Sequence, residues 1–286
     1  MRFSRHVTSA MAFAFANVCA ADLQDTTRAT PLPPVEVRAL RDPVEKSYRK
    51  IVRGMDVFEQ RRALAPDAAL RFKLVPRSRD TEMQGIALDI ASENVSLPVQ
   101  VAPDGTFALE RVRQAVDEDA VVTPNRRAGS VTWRVDIRTP GLPPNTRRLG
   151  DLRLECLVGI EADLVSDFRT LLGHIARFLR PRDYCNQREV HYLFFAERPL
   201  FSVTLVSGSR RAVLPVDQLY AGISRNPMTA GEIRYCDCEV LIDRTYYAPL
   251  SDPGWPDDTL LVFEYMDEGV PAAVRGAAAV ETSSVP

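Results

Sequence analysis

The chain has 286 residues, 45% of them apolar and 26% charged, enough for a substantial core in one large or two ordinary domains. Its formal net charge is −2, from 36 Lys and Arg against 38 Asp and Glu. A chain so balanced offers no broad basic face to a phosphate backbone, so nucleic acid is not an expected partner.

Lysine occurs only at 46, 50 and 73. The arginine bias is explained by a GC-rich coding sequence without any anion-binding role.

The first twenty residues read as a secretory signal peptide. Arg2 and Arg5 form a basic start, Ala10 to Ala16 a short apolar run, and Val18-Cys19-Ala20 a small-residue cleavage site before Ala21. The apolar run is too short to cross a bilayer of about 30 Å. Cys19 raises a lipoprotein alternative, but Ala16-Asn17-Val18 does not make the usual Leu-small-small lipobox. No other segment reaches spanning length, so the expectation is a soluble exported protein, periplasmic or secreted, with no transmembrane segment.

Residues 21–41, with Pro31-Leu32-Pro33-Pro34, read as a flexible leader. Asp42-Pro43-Val44-Glu45 has the spacing of a capping box with Pro at the first helical position. Val44, Tyr48, Ile51, Met55 and Phe58 follow at helical spacing, which predicts an amphipathic helix over 42–66.

From Ala69 the period changes to two. Leu70, Phe72 and Leu74 alternate with polar residues, as do Ile86, Leu88 and Ile90. Val95, Leu97, Val99 and Val101 share one face before Pro103-Asp104-Gly105, and Phe107 and Leu109 resume it, which predicts a hairpin. Val131, Trp133, Val135 and Ile137 make a further strand, and Leu152, Leu154, Cys156, Val158 and Ile160 another. Short strands separated by turn signals predict a β-sandwich domain over 67–160.

Residues 161–181 return to helical spacing through Leu164, Phe168, Leu171, Leu172, Ile175 and Phe178 and predict a connecting helix. His174 falls off the centre of that stripe and reads as a surface residue. Residues 182–268 are β again: Leu193 to Phe195, Phe201-Val203-Leu205, a Ser207-Gly208 turn, Ala212-Leu214-Val216, Cys236-Cys238-Val240-Ile242, and Leu261-Phe263-Tyr265. Residues 269–286 read as a disordered tail. The fold class is therefore mostly β: antiparallel sandwich-like domains with two amphipathic helices.

Four cysteines remain after Cys19: Cys156, Cys185, Cys236 and Cys238. An even number in an exported chain points to two disulfides. A 236–238 bridge is the least favoured, since an extended strand holds those Cα atoms about 6.5–7 Å apart. Cys236 and Cys238 are expected instead to reach Cys185 and Cys156. The alternative is a soft-metal site of Cys185, His191, Cys236 and Cys238, since thiolate and imidazole suit zinc or copper.

No Gly-x-Ser-x-Gly elbow, Gly-x-Gly-x-x-Gly or P-loop occurs, so no catalytic residue is assigned and no cofactor is indicated. A Cys–His enzyme would need a free thiol beside His174 or His191. Asp252, Asp257 and Asp258 flank Trp255 in a loop that suits calcium or a sugar ring. Tyr246, Tyr247, Trp255, Asp257 and Asp258 make the candidate binding surface, with an envelope protein, peptide or glycan as partner.

Asp104-Gly105-Thr106-Phe107-Ala108-Leu109, following an alternating strand, resembles the carboxypeptidase-regulatory-like, transthyretin-like β-sandwich modules of exported bacterial proteins. The match covers about fifteen residues, and Gly85-Ile86-Ala87-Leu88 is a loose counterpart of the family's opening strand. The resemblance implies a scaffold, adhesion or accessory domain without catalytic residues. The expected function is an exported, non-catalytic accessory, binding or structural module of the envelope. The alternatives are a secreted hydrolase with its site in the C-terminal half and a Cys/His metal-binding periplasmic protein.

Overall fold

The computed structural model describes residues 45–77, 80–127, 129–164, 184–186, 192–220 and 238–266. The expected signal segment with Cys19, the expected leader with the 42–44 start of the first helix, the expected 269–286 tail, His174, His191 and Cys236 lie outside the described residues.

The chain opens with β1 (Lys46–Ser47), α1 (Tyr48–Gln60), β2 (Ala69–Pro76), β3 (Leu88–Ala91), β4 (Ser96–Val99) and β5 (Thr106–Phe107). Then come α2 (Arg113–Asp117), β6 (Val121–Pro124), β7 (Val131–Arg138), β8 (Thr146–Arg148) and α3 (Leu149–Glu161). The remaining strands are β9 (Leu193–Phe195), β10 (Leu200–Ser207), β11 (Arg210–Val213), β12 (Thr245–Tyr247) and β13 (Leu260–Tyr265). The fold is mostly β: among the described residues, thirteen strands lie in four antiparallel sheets, with three helices. The sheet orders are β1-β6-β3-β4, β5-β2-β7, β12-β9 and β11-β10-β13-β8.

The α1 stripe behaves as its spacing predicts. Tyr48, Ile51, Met55 and Phe58 are buried on one face. The helix starts at Tyr48, however, because Lys46 and Ser47 pair with Val122 and Val121 of β6. The alternating runs at 69–76, 88–91, 131–138, 200–207 and 260–265 are all strands. Each buries one face more deeply than the other, so the period survives in the sequence.

Four expectations are corrected. Leu152 to Ile160 is not a strand but the body of α3. Leu152 and Cys156 point into one core and Leu154 and Val158 into another, so two i,i+4 rows interleave and imitate a period of two. Consequently the expected helix over 161–181 does not start at Glu161. That residue ends α3, and Asp163 at φ +57° breaks the path; residues 165–183 lie outside the described residues. The run through Cys238 to Ile242 is a kinked 3₁₀ helix, Cys238–Arg244, rather than a strand.

The fourth correction concerns 95–110. Its turn forms as expected: Gly105 sits at φ +80°, and Gly105 N–H donates to Ala102 O at 2.8 Å. A Cβ on Gly105 would lie 2.6 Å from Leu74 O, so this position needs glycine on two counts. The flanking strands nevertheless part company. β4 pairs with β3 and β5 with β2, and a single bridge, Val101 to Phe107, joins the arms.

α3 stands between two cores. The first collects α1, β2, β3, β6 and β7 around Trp133, Phe72 and Phe107. The second collects β10, β13, Tyr246, Phe194 and Trp255. α1 crosses α3 closely at Gly54, where a Cβ would come 2.8 Å from the Ala162 Cβ.

Candidate functional site

β7 pairs along its full length with β2, leaving one backbone edge for α3 to face. Side chains from α3 and β8 take the place of a neighbouring strand. Ile137 N–H donates to Glu155 Oε1 at 2.7 Å, and Thr139 N–H donates to Asp151 Oδ2 at 2.8 Å. Arg147 Nη2 donates to Ile137 O at 2.9 Å and to Glu155 Oε1 at 2.6 Å. Asp151 and Glu155 are four residues apart on one helix face, the spacing that reaches alternate residues of an extended strand. Arg147, Asp151 and Glu155 are all buried.

Burial pushes the Glu155 carboxyl up to about 7, against the opposing pull of Arg147. Burial alone would lower the Arg147 guanidinium, but the Glu155 carboxylate outweighs it and holds the group above its ordinary range. Burial likewise raises the Tyr246 phenol. Small cavities of about 60 and 70 Å³ flank this cluster, with room for one or two water molecules each. In this setting the cluster's evident chemistry is a tie between β7, β8 and α3.

The expected aromatic surface is not a surface. Tyr246 is 0% exposed, and Tyr247 and Trp255 are each 4% exposed. Tyr246 stacks on Phe194 at 5.5 Å and meets Phe263 edge-on at 5.1 Å, which draws the ring into the second core. Arg210 covers the Trp255 ring at 3.8 Å. The acidic loop is held by Arg153, which donates to Leu250 O at 2.9 Å, Asp252 O at 3.1 Å and Trp255 O at 2.9 Å, and pairs with Asp257. Asp252 Oδ1 accepts the Gly254 N–H at 2.8 Å. Asp258 remains exposed. Proximity in sequence suggested a display of rings; packing turned the rings inward and bound the loop's main chain to α3.

Cys156 is joined to Cys185 by a disulfide, with both residues buried. The expected pairing of Cys156 with the 236–238 pair is thus corrected: on α3, Cys156 faces the short turn Tyr184–Asn186 instead. The bond also removes Cys185 from the proposed metal set. Among the described residues no group of three or more His, Cys, Asp or Glu is placed to hold a metal ion. Nor, among them, is any helix long and apolar enough to cross a membrane.

Two open grooves involve the first half. One, of about 680 Å³, runs between β2, the Met83–Ile86 loop, the Val101–Gly105 turn and Phe195. The other, of about 670 Å³, opens where β4 and β5 diverge.

A different surface stands out in the second half. All four residues of β11 are exposed, and Val213 at 63%, Val216 at 64% and Phe201 at 63% are the most exposed large apolar side chains among the described residues. β11 is the edge strand of its sheet. Arg210 anchors it inward, over Trp255 and onto Gly254 O. The sequence pattern missed this edge, because Ala212, Leu214 and Val216 read as one apolar face. The overlooked signal was Arg210-Arg211 between a Gly turn and Pro215, which suits a short edge strand.

No protein-family model matches the chain, and no curated protein or solved structure matches it either.

Proposed function

We propose that the chain is an exported, non-catalytic binding or structural module of the cell envelope that engages its partner through the β11 side of its second sheet. The observation that carries this reading is the exposure of all four β11 residues beside Val216 and Phe201, on a strand anchored from behind by Arg210. Large apolar side chains left exposed on and beside an edge strand suit an interaction surface. The resemblance of 95–110 to carboxypeptidase-regulatory-like modules points the same way. So does the use of Arg147, Arg153, Asp151 and Glu155 as internal struts.

A photo-cross-linking residue at Val213 or Val216 of the full chain, in intact producing cells, is expected to give a discrete adduct with a second protein. The same residue at Leu97, an exposed control on β4, is expected to give none. Equal labelling at the three positions, or none at Val213 and Val216, would overturn the reading. Terminal sequencing of the accumulated protein is expected to begin at Ala21; a chain that retains Met1 in the cytoplasm would remove the export step.

A hydrolase reading draws on Glu155, a buried carboxyl raised to about 7. It requires that Glu155→Gln abolish a hydrolytic turnover while leaving the fold intact.

A further inference from the structure

Two sheet edges that pair with no further strand among the described residues, β4 and β11, differ in what they offer. In the β3–β4 hairpin, Ser92 N–H donates to Val95 O at 2.8 Å. Counting by twos from that bonded pair, Ser96 and Pro98 turn their backbone groups outward. Pro98 has no N–H, so the edge lacks a donor where a new strand would need one. In the β10–β11 hairpin, Leu214 N–H donates to Val203 O at 2.8 Å. The same count turns both N–H and C=O of Arg211 and Val213 outward. Neither is proline, so this edge presents two complete donor–acceptor pairs.

The outer face of the sheet says what would lie beside them. Val213 pairs with Thr204, Thr204 with Val262, and Val262 with Thr146, so one row across four strands is β-branched throughout. The next row runs Arg211, Val206, Leu260, Arg148. Arg148 is engaged with the Leu64 carbonyl and with Asp151. Arg211 is exposed and has no ion-pair partner among the described residues.

We propose that β11 receives an extended acidic segment of a partner protein as a fifth strand of this sheet, with a carboxylate opposite Arg211 and a β-branched side chain opposite Val213. This rests on the binding role proposed above and names its chemistry. Main-chain bonds to Arg211 and Val213 supply affinity, and the two side-chain positions supply selectivity. A second copy of the chain fits less well. Antiparallel self-pairing would set two Arg211 side chains either opposite each other or diagonally on one face, with no acid between them.

The probe is the capped heptapeptide Thr-Val-Thr-Glu-Thr-Val-Thr, which satisfies both strand directions, titrated into the full chain and followed by the amide shifts of β11. Binding is expected to weaken at least about tenfold when Lys replaces the central Glu. Arg211→Glu is expected to reverse that preference. N-methylation of one alternating set of peptide amides should abolish binding, and of the other set should leave it, as a one-sided ladder requires. Val213→Pro removes an outward N–H without breaking a β10–β11 hydrogen bond, and should abolish binding while thermal unfolding stays near that of the parent.

No binding of either peptide, or binding indifferent to Arg211→Glu, overturns the proposal. So does a dimer in sedimentation that Val213→Pro dissolves, since that would make the edge a self-interface. If Val213 cross-links a partner while the peptides fail, strand addition falls and the binding role stands. If neither is seen, both fall.

Discussion

Arg147 and Glu155 illustrate how a buried charge pair is tolerated: each also bonds the main chain of Ile137, so neither relies on the other alone. Facing Glu155 are Arg147 from β8 and Asp136 from β7, and burial raises its carboxyl from 4.5 to about 7. The folded state therefore holds a proton that the unfolded chain releases between those values. The stability this adds is complete below about pH 4.5 and is lost as pH rises through 7. Urea unfolding at pH 5 and pH 8 should show that decline, and Glu155→Gln should flatten it and gain on the parent at pH 8. Arg147→Met should cost about 3 kcal/mol at pH 8, where it strands a buried carboxylate, and less at pH 5. A Glu155→Gln protein with the parent's pH slope would show that Glu155 is not the titrating group.

At the scale of elements, α3 decides the architecture. It serves both cores and supplies carboxylates to the open edge of β7. It also carries Cys156, bonded to Cys185 at a sequence separation of 29. The double variant Cys156→Ala, Cys185→Ala is expected to lose about 2–4 kcal/mol in denaturant unfolding. Adding reductant should lower the parent's midpoint to a similar degree and leave the variant's unchanged; an equal response of both would place the sensitivity elsewhere. Helix α1 was legible because Tyr48, Ile51, Met55 and Phe58 bury one face only. α3 was not, because a helix buried on two sides has no polar stripe to reveal its period.

Over the whole molecule, two cores of aromatic and aliphatic residues account for both tryptophans. Trp133 is 1% exposed and Trp255 4%. Native fluorescence should therefore be blue-shifted and poorly quenched by acrylamide, with quenching rising sharply on unfolding. Easy quenching of one tryptophan in the native protein, abolished by Trp255→Phe, would restore the exposed loop expected from the sequence. The sheet edges complete the picture at this scale: among the described residues β4 carries Pro98 and β11 pairs on one side alone, so the proposed strand addition belongs to one side of the second sheet.

The amino-acid sequence alone determined the elements that bury one side more deeply than the other: α1 and the strands containing Phe72, Leu88, Trp133, Val203 and Phe263. One-sided burial writes its period into the chain, and Gly105 and Gly208 mark turns that need a positive φ. Only the tertiary structure decided that Cys156 meets Cys185, that Tyr246 and Trp255 turn inward, that the arms of 95–110 join different sheets, and that β11 is exposed among the described residues. Each of those outcomes depends on contacts between residues far apart in the chain, and local periodicity carries no record of which distant surface an element will meet.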